Sequence, residues 1–297
     1  MRQYIVNTFT DLVFGGSPVA VCIVDSWIPS RDMHNIAIQN SLPETVFILN
    51  RGIYYELRCF SPYGEVYKYV NSTQAAAYVL FRFIKSDIYE ITFKTAKLDV
   101  VARKKYDNIY VEIPQLKLLE LETSYEVKDA LGVMPKKIFG GPGGFFVLES
   151  EEQVREFNPD VEKIIEMYKK SYGLPRRDSW TNRIDEILSD DIDDTERKEE
   201  KIPLFSELSF CITAASDNAD CVCRYISIDE NIYHGYEYPI KYETMMPYWF
   251  SRKKHNKIVS WQIDERDAIL ECINKKDTKI EVGGKAKLYA ISDIYVE

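Results

Sequence analysis

The chain has 297 residues, 45% of them hydrophobic and 29% charged, with a formal net charge of −9. That is enough apolar chain to bury a core without disulfide or metal staples. An acidic surface repels a phosphate backbone, which argues against nucleic acid as a partner. No stretch approaches the roughly 18 consecutive apolar residues of a membrane span. The start, Met1-Arg2-Gln3-Tyr4-Ile5-Val6-Asn7-Thr8, reads as a strand without the apolar core of a signal peptide, so a cytoplasmic protein is expected.

In chain order, Tyr4 to Thr8 is predicted as a strand, Phe14-Gly15-Gly16-Ser17-Pro18 as a tight turn, and Val19 to Val24 as a buried strand. Ser30 is expected to cap a short helix whose apolar face is Met33, Ile36 and Ala37. Val46 to Leu49 and Tyr54 to Phe60 follow as strands. Gln74 to Ile84 is nearly apolar all round, which predicts a central helix enclosed by sheet. Tyr89 to Lys94, Lys97 to Ala102 and Asn108 to Ile113 are strands, and Pro114 marks the exit from a first lobe.

The second half repeats this grammar. Strands are predicted at Lys137 to Phe139, Gly144 to Leu148, Ser209 to Ala214 and Cys221 to Ile228. Helical stretches start at Val154 and at Val161, and another runs from about Tyr242 to Phe250. Ile258 to Ile263, Ala268 to Ile273, Lys279 to Val282 and Ala286 to Ile291 are strands. Arg58-Cys59-Phe60-Ser61 and Arg224-Tyr225-Ile226-Ser227 each place an arginine in a strand before a helix, a weak internal repeat. Residues 176–201 break the pattern as a highly charged insertion, expected to be a solvated excursion. Its Asp190-Asp191-Ile192-Asp193-Asp194 run lacks the glycine and distal glutamate of an EF-hand.

The six cysteines form no C-x-x-C pair, and His34, His234 and His255 show no metal-ligand spacing, so a metal site is not expected. The cysteines read as reduced and mostly buried.

Several motifs, in order, carry a resemblance. Phe14-Gly15-Gly16-Ser17-Pro18-Val19-Ala20-Val21 resembles F-x-G-N-P-A-A-V. Met33-His34-Asn35-Ile36-Ala37 with Ser41-Leu42-Pro43-Glu44-Thr45-Val46-Phe47 is similar to M-x-x-I-A…N-L-S-E-T-A-F. Leu57-Arg58-Cys59-Phe60-Ser61-Pro62 and Glu65-Val66 look like L-R-W-F-T-P…E-V. Arg224 with Pro247-Tyr248-Trp249 matches R-F-F-A-P…P-Y-W, and Gln262 and Arg266 fall on Q-x-S-x-R-G-G. These are motifs of the PhzF-like family of isomerases, which share the diaminopimelate-epimerase fold. The resemblance implies an α+β fold of two pseudo-symmetric lobes, each a rolled, mostly antiparallel sheet around a central helix, with the active site in the cleft between them. The first lobe is expected to be 1–114, completed by a C-terminal strand at about 286–297, and the second 115–285.

What the resemblance further implies is proton transfer at carbon on a small-molecule substrate, without a cofactor, in a homodimer. Glu44 matches the glutamate that takes and returns the proton. Apolar Leu42, Val46 and Phe47 around it lead to the expectation of a recessed carboxylate that desolvation makes harder to ionise, which would suit that task. The family's C-G-H-A-T at the first helix start is Tyr69-Val70-Asn71-Ser72-Thr73 here, so Asn71 replaces a histidine. Asn71 or Ser72 can cap the helix and, with Thr73, hydrogen-bond a substrate carboxylate, but they cannot exchange a proton near neutral pH. In the second lobe E-D-P-V-T-G-S-A-H becomes His234 to Tyr242: the acidic position is Gly235 and the Gly-Ser cradle is Pro239-Ile240. His234, Glu237, Lys241 and Tyr69 are candidate second acid, base or substrate contacts, and Tyr242 a substrate contact. Because of these departures two other readings stay open. One is different chemistry on the same fold, such as a cyclase, dehydratase or pericyclase-like catalyst. The other is an inactive member that binds a ligand or partner.

Overall fold

A computed structural model describes residues 1–66, 70–115, 119–140, 144–171, 209–227, 242–263, 266–276 and 278–296. The chain divides into two compact units. One holds the described residues of 1–114 and 256–297, and the other those of 115–235 and 240–255. Each is mixed α and β, and each is a largely antiparallel sheet with a helix against it.

The first unit opens with β1 (Arg2–Thr8), β2 (Ser17–Val24), α1 (Ser30–Asn40), β3 (Glu44–Asn50) and β4 (Tyr55–Ser61). It continues through β5 (Gly64–Val66), α2 (Val70–Val79), a π-helical turn at Leu80–Ile84, β6 (Glu90–Lys94), β7 (Asp99–Lys105) and β8 (Asn108–Pro114). Most neighbours in chain order pair antiparallel, as short turns require. The two parallel pairs, β2–β3 and β4–β6, are those separated by a helix, α1 and α2 respectively. Parallel pairing needs such a crossover to bring the chain back to the same end.

The chain returns to this unit in β14 (Lys257–Gln262), β15 (Ala268–Lys275), β16 (Lys279–Gly284) and β17 (Ala286–Asp293). β16 pairs antiparallel with β8, and β17 with β1. The segment 256–285, which chain order alone groups with the second lobe, is therefore sheet of the first unit. The resulting ladder runs β17–β1–β2–β3–β4–β6–β7–β8–β16–β15–β14.

α2 lies against β1, β2, β3, β7, β8 and β17. Val70 through Ala77, and Val79, are all buried. Three consecutive alanines, Ala75 to Ala77, let strands approach on every side. Gln74, fully buried, fixes the helix in place: its Oε1 accepts from Phe9 N at 3.0 Å, while its Nε2 donates to Ile109 O at 3.2 Å and Gly284 O at 3.0 Å. The long helix foreseen from Gln74 to Ile84 thus begins earlier and finishes as a π turn. Ser30 is not the cap of α1: Pro29 holds that position with no side-chain hydrogen bond, and Ser30 Oγ accepts from Arg58 instead.

The Phe14–Pro18 turn is held by Arg266, whose Nε donates to Gly16 O at 2.9 Å and whose Nη2 donates to Asn7 Oδ1 at 3.1 Å. Gly16 has φ +61°, and a Cβ there would lie 2.0 Å from Thr8 O, so only glycine fits.

One charged cluster spans β7, β8 and β16. Glu281, 1% exposed, faces Lys105 at 2.8 Å and Arg103 at 3.3 Å. Neighbouring Glu112 also bonds Arg103 and Lys279. Burial pushes the Glu112 pKa up, but hydrogen bonds from Lys279 and Arg103 outweigh it and hold the carboxyl below its ordinary 4.5. A folded pKa below the unfolded one means stabilisation that is present above the unfolded pKa and is lost as pH falls through the folded one. The urea midpoint of Glu112→Gln is therefore expected to fall less than that of the parent chain between about pH 6 and about pH 3. Equal falls in the two chains would disprove this role.

The second unit contains β9 (Leu119–Leu121), α3 (Tyr125–Leu131), β10 (Lys137–Gly140), β11 (Phe145–Val147), α4 (Glu151–Arg155), α5 (Val161–Ser171), β12 (Ser209–Ala215), β13 (Cys221–Ser227) and α6 (Tyr242–Lys253). Its ladder is β9–β10–β11–β12–β13, with β11–β12 the parallel pair. α6 buries Met245, Met246, Trp249 and Phe250. Trp249 Nε1 donates to Thr213 Oγ1 at 3.0 Å, and that hydroxyl donates to Val222 O at 2.7 Å, which satisfies both polar groups inside the core. Arg224, the counterpart of Arg58 in the repeat, donates to Phe157 O at 2.8 Å.

Candidate active site

Glu44 opens β3, 4% exposed. The β3–β4 register sets Val46 opposite Cys59. Glu44 and Val46, two residues apart on one strand, share a face, and Cys59 across from Val46 joins them there. Cys59 Sγ lies 3.8 Å from Glu44 Oε2, with the thiol as donor. Burial raises the Cys59 pKa well above 9.0, the Glu44 charge pushes the same way, and a hydrogen bond with Ser72 acts against both. Cys59 is therefore a neutral S–H donor rather than a thiolate nucleophile.

Ser72 brings in α2. Its contact with Cys59 places the first turn of that helix beside the same thiol that touches Glu44. Asn71 is 6% exposed, and Ser72 and Thr73 are fully buried. They lie inside the first turn of a helix that begins at Val70, not at the capping position foreseen for Asn71 or Ser72. Thr73 Oγ1 is buried and, among the described residues, makes no hydrogen bond. A buried hydroxyl without a partner among the described residues, in the first turn of a helix, suits an acceptor such as a carboxylate.

On the opposite face of β4, Arg58 makes a two-point pair with Glu65 at 2.7 and 2.6 Å. Arg58 also donates to Ser30 at 3.0 Å and lies 5.2 Å from the Phe60 ring centroid. It fastens the exit of β4 to β5 and to the start of α1.

Tyr242 opens α6 of the second unit, 1% exposed. Tyr69, His234, Glu237, Lys241 and the insertion at 176–201 lie outside the described residues. Among the described residues no cluster of three or more His, Cys, Asp or Glu side chains is placed to hold a metal ion, and no helix is long and apolar enough to cross a membrane. Cys59 and Gln74 were missed as functional neighbours. The signal for Cys59 was available: it occupies the tryptophan of the L-R-W-F pattern, so a small thiol stands beside Glu44 in place of an indole.

All six cysteines are free and buried. Titration of the native protein with a thiol reagent is expected to find essentially no fast-reacting group, and six after denaturation. A fast-reacting native thiol would contradict the burial of the Glu44 neighbourhood or of the strands around it.

A rolled sheet around a buried helix, with a recessed carboxylate at the head of a strand beside that helix, is the epimerase type of fold. A crystal structure of a hydroxyproline epimerase from Agrobacterium vitis superposes with TM-score 0.53 over 99% of this chain and 90% of that one at 10% identity, a likeness of fold alone. The chain belongs to the phenazine biosynthesis-like (PhzC-PhzF) family, whose profile matches residues 6–186. An uncharacterized isomerase of Pseudomonas aeruginosa is 23% identical over 291 residues, 98% of this chain and 97% of that protein. A PhzF-family crystal structure from Enterococcus faecalis superposes with TM-score 0.80 at 27% identity over 99% of both chains.

Proposed function

We propose that this chain is a cofactor-independent isomerase that moves a proton on a small carboxylate-bearing molecule through Glu44. The observation that carries the reading is the buried Glu44 carboxylate sharing Cys59 with the first turn of α2, where the Thr73 hydroxyl stands unpartnered. The helix start and Thr73 hold the acceptor end of the substrate. Glu44 takes a proton from an activated carbon and returns it to another position. Cys59 donates to Oε2 and keeps the carboxylate oriented. Asn71, where the family carries histidine, does not titrate near neutral pH, so the described part of the site favours a single-base shuttle. A role in small-molecule biosynthesis as a cytoplasmic homodimer belongs to the same proposal.

The test is incubation with a panel of small unsaturated and hydroxylated carboxylates in D2O, followed by NMR and mass spectrometry. Enzyme-dependent deuterium incorporation into at least one of them, lost in Glu44→Gln, is the expected result. Turnover that survives in Glu44→Gln would move the chain to the reading in which the site acts by positioning alone. Light scattering that gives the mass of one chain would remove the dimer.

A further inference from the structure

We propose that the far end of α2 carries a second binding site, for a small organic phosphate. A cavity of about 310 Å³ opens there, where the π turn at Leu80–Ile84 meets the β7–β8 turn and the β16–β17 junction. Its lining includes four cations, Arg82, Lys104, Lys285 and Lys287, against two acids, Asp11 and Asp107. A net positive cavity on a chain of net charge −9 is the reverse of what composition predicts. Lys285 is matched by Asp11 at 3.1 Å, whereas among the described residues Arg82 and Lys104 make no ion pair. Gathering like charges in one concavity costs stability unless an anion joins them.

The other wall sets the rest of the ligand. Phe81, 2% exposed, and Tyr78 give the cavity an apolar side under the cations. A group with a dianionic end and an apolar body satisfies both. Arg82 offers a planar fork that suits phosphate oxygens, and the lysines supply point charges. The volume is at the lower end of small-molecule pockets, about 300–1,000 Å³, which fits a compact molecule better than a polymer. Arg82 follows Val70 by a dozen residues along the helix, so the cavity lies roughly 18 Å from the start of α2. It is a separate site, and the proposal does not depend on the chemistry assigned to Glu44.

The test is calorimetric titration of the full chain with phenyl phosphate at low ionic strength, with inorganic phosphate and benzyl alcohol as partial ligands. Saturable binding at one site per chain is expected for phenyl phosphate, tighter than for either part. Affinity is expected to fall about tenfold in Arg82→Gln/Lys287→Gln and to weaken with added salt. Both substituted side chains are exposed, and an unchanged thermal melt without ligand verifies that the variant folds. Glu44→Gln is expected to bind phenyl phosphate as the parent does. Absence of saturable binding, equal affinity in the double variant, or loss of binding in Glu44→Gln would each overturn the proposal. So would retention of a long polyanion such as heparin without binding of phenyl phosphate.

Discussion

Glu44→Gln is expected to lower proton exchange by about two to four orders of magnitude, the usual worth of a positioned acid–base group. The substitution keeps the shape of the side chain and an acceptor for the Cys59 thiol, so the fold is expected to survive it. Only the ability to take and release a proton is removed. Glu44→Asp makes the companion measurement, because it keeps the carboxylate and withdraws it toward the strand. An enzyme that needs a base at a fixed point is expected to lose most of its rate but not all of it. Cys59→Ala tests the orienting bond: kcat is expected to fall while substrate affinity, set at the start of α2, stays near the parent value. If Glu44→Gln and the parent chain exchange deuterium equally, the proton-shuttle reading is wrong.

The second large effect is expected at Gln74. Gln74→Leu leaves Phe9 N–H and the carbonyls of Ile109 and Gly284 without their partner, deep inside the first unit. Orphaned buried polar groups cost about 1–3 kcal/mol each, so a loss of about 3 kcal/mol or more is expected in urea unfolding. Gln74→Glu separates the contributions, since it keeps an acceptor for Phe9 and offers no donor to the two carbonyls. A loss below about 1 kcal/mol in Gln74→Leu would mean that the side chain does not hold α2. The site shares the consequence: Gln74 follows Asn71, Ser72 and Thr73 directly, and a helix free to shift carries them with it.

Much of this arrangement is legible along the chain, and the part that is not has a common cause. Buried strands such as Val19 to Val24 declare themselves by continuous apolar, β-branched runs. The enclosed helix declares itself by alanine and apolar residues on all faces. Its start does not, because Val70, Asn71, Ser72 and Thr73 are weak helix formers that burial and tertiary contacts carry into the helical turn. Ser30 has the composition of a cap, yet Arg58, 28 residues away, claims its hydroxyl. Glu44 could be picked out by its motif, whereas its neighbour Cys59 follows from the register of β3 on β4, which no local pattern specifies. The cluster around Glu281 likewise needs β7, β8 and β16 in place before its charges meet.

The pairing of β1 has a consequence for how the protein is made. β1 is flanked by β2 on one side and β17 on the other, and the amino group of Met1 donates to Ile294 O at 2.7 Å. During vectorial synthesis β2 is available within seconds of β1, while β17 follows only after some 280 further residues have left the ribosome. The first unit therefore spends most of translation with one flank of its first strand unpaired, and β8 waits in the same way for β16. The contacts of the second unit lie wholly within the intervening stretch of chain, so it can fold while the first is still incomplete. Closing the first unit then depends on contacts of very long sequence separation, which places its folding among slow, topology-limited reactions. Nascent chains halted before β14 are the form in which bare strand edges are exposed, and holding chaperones have most to do there.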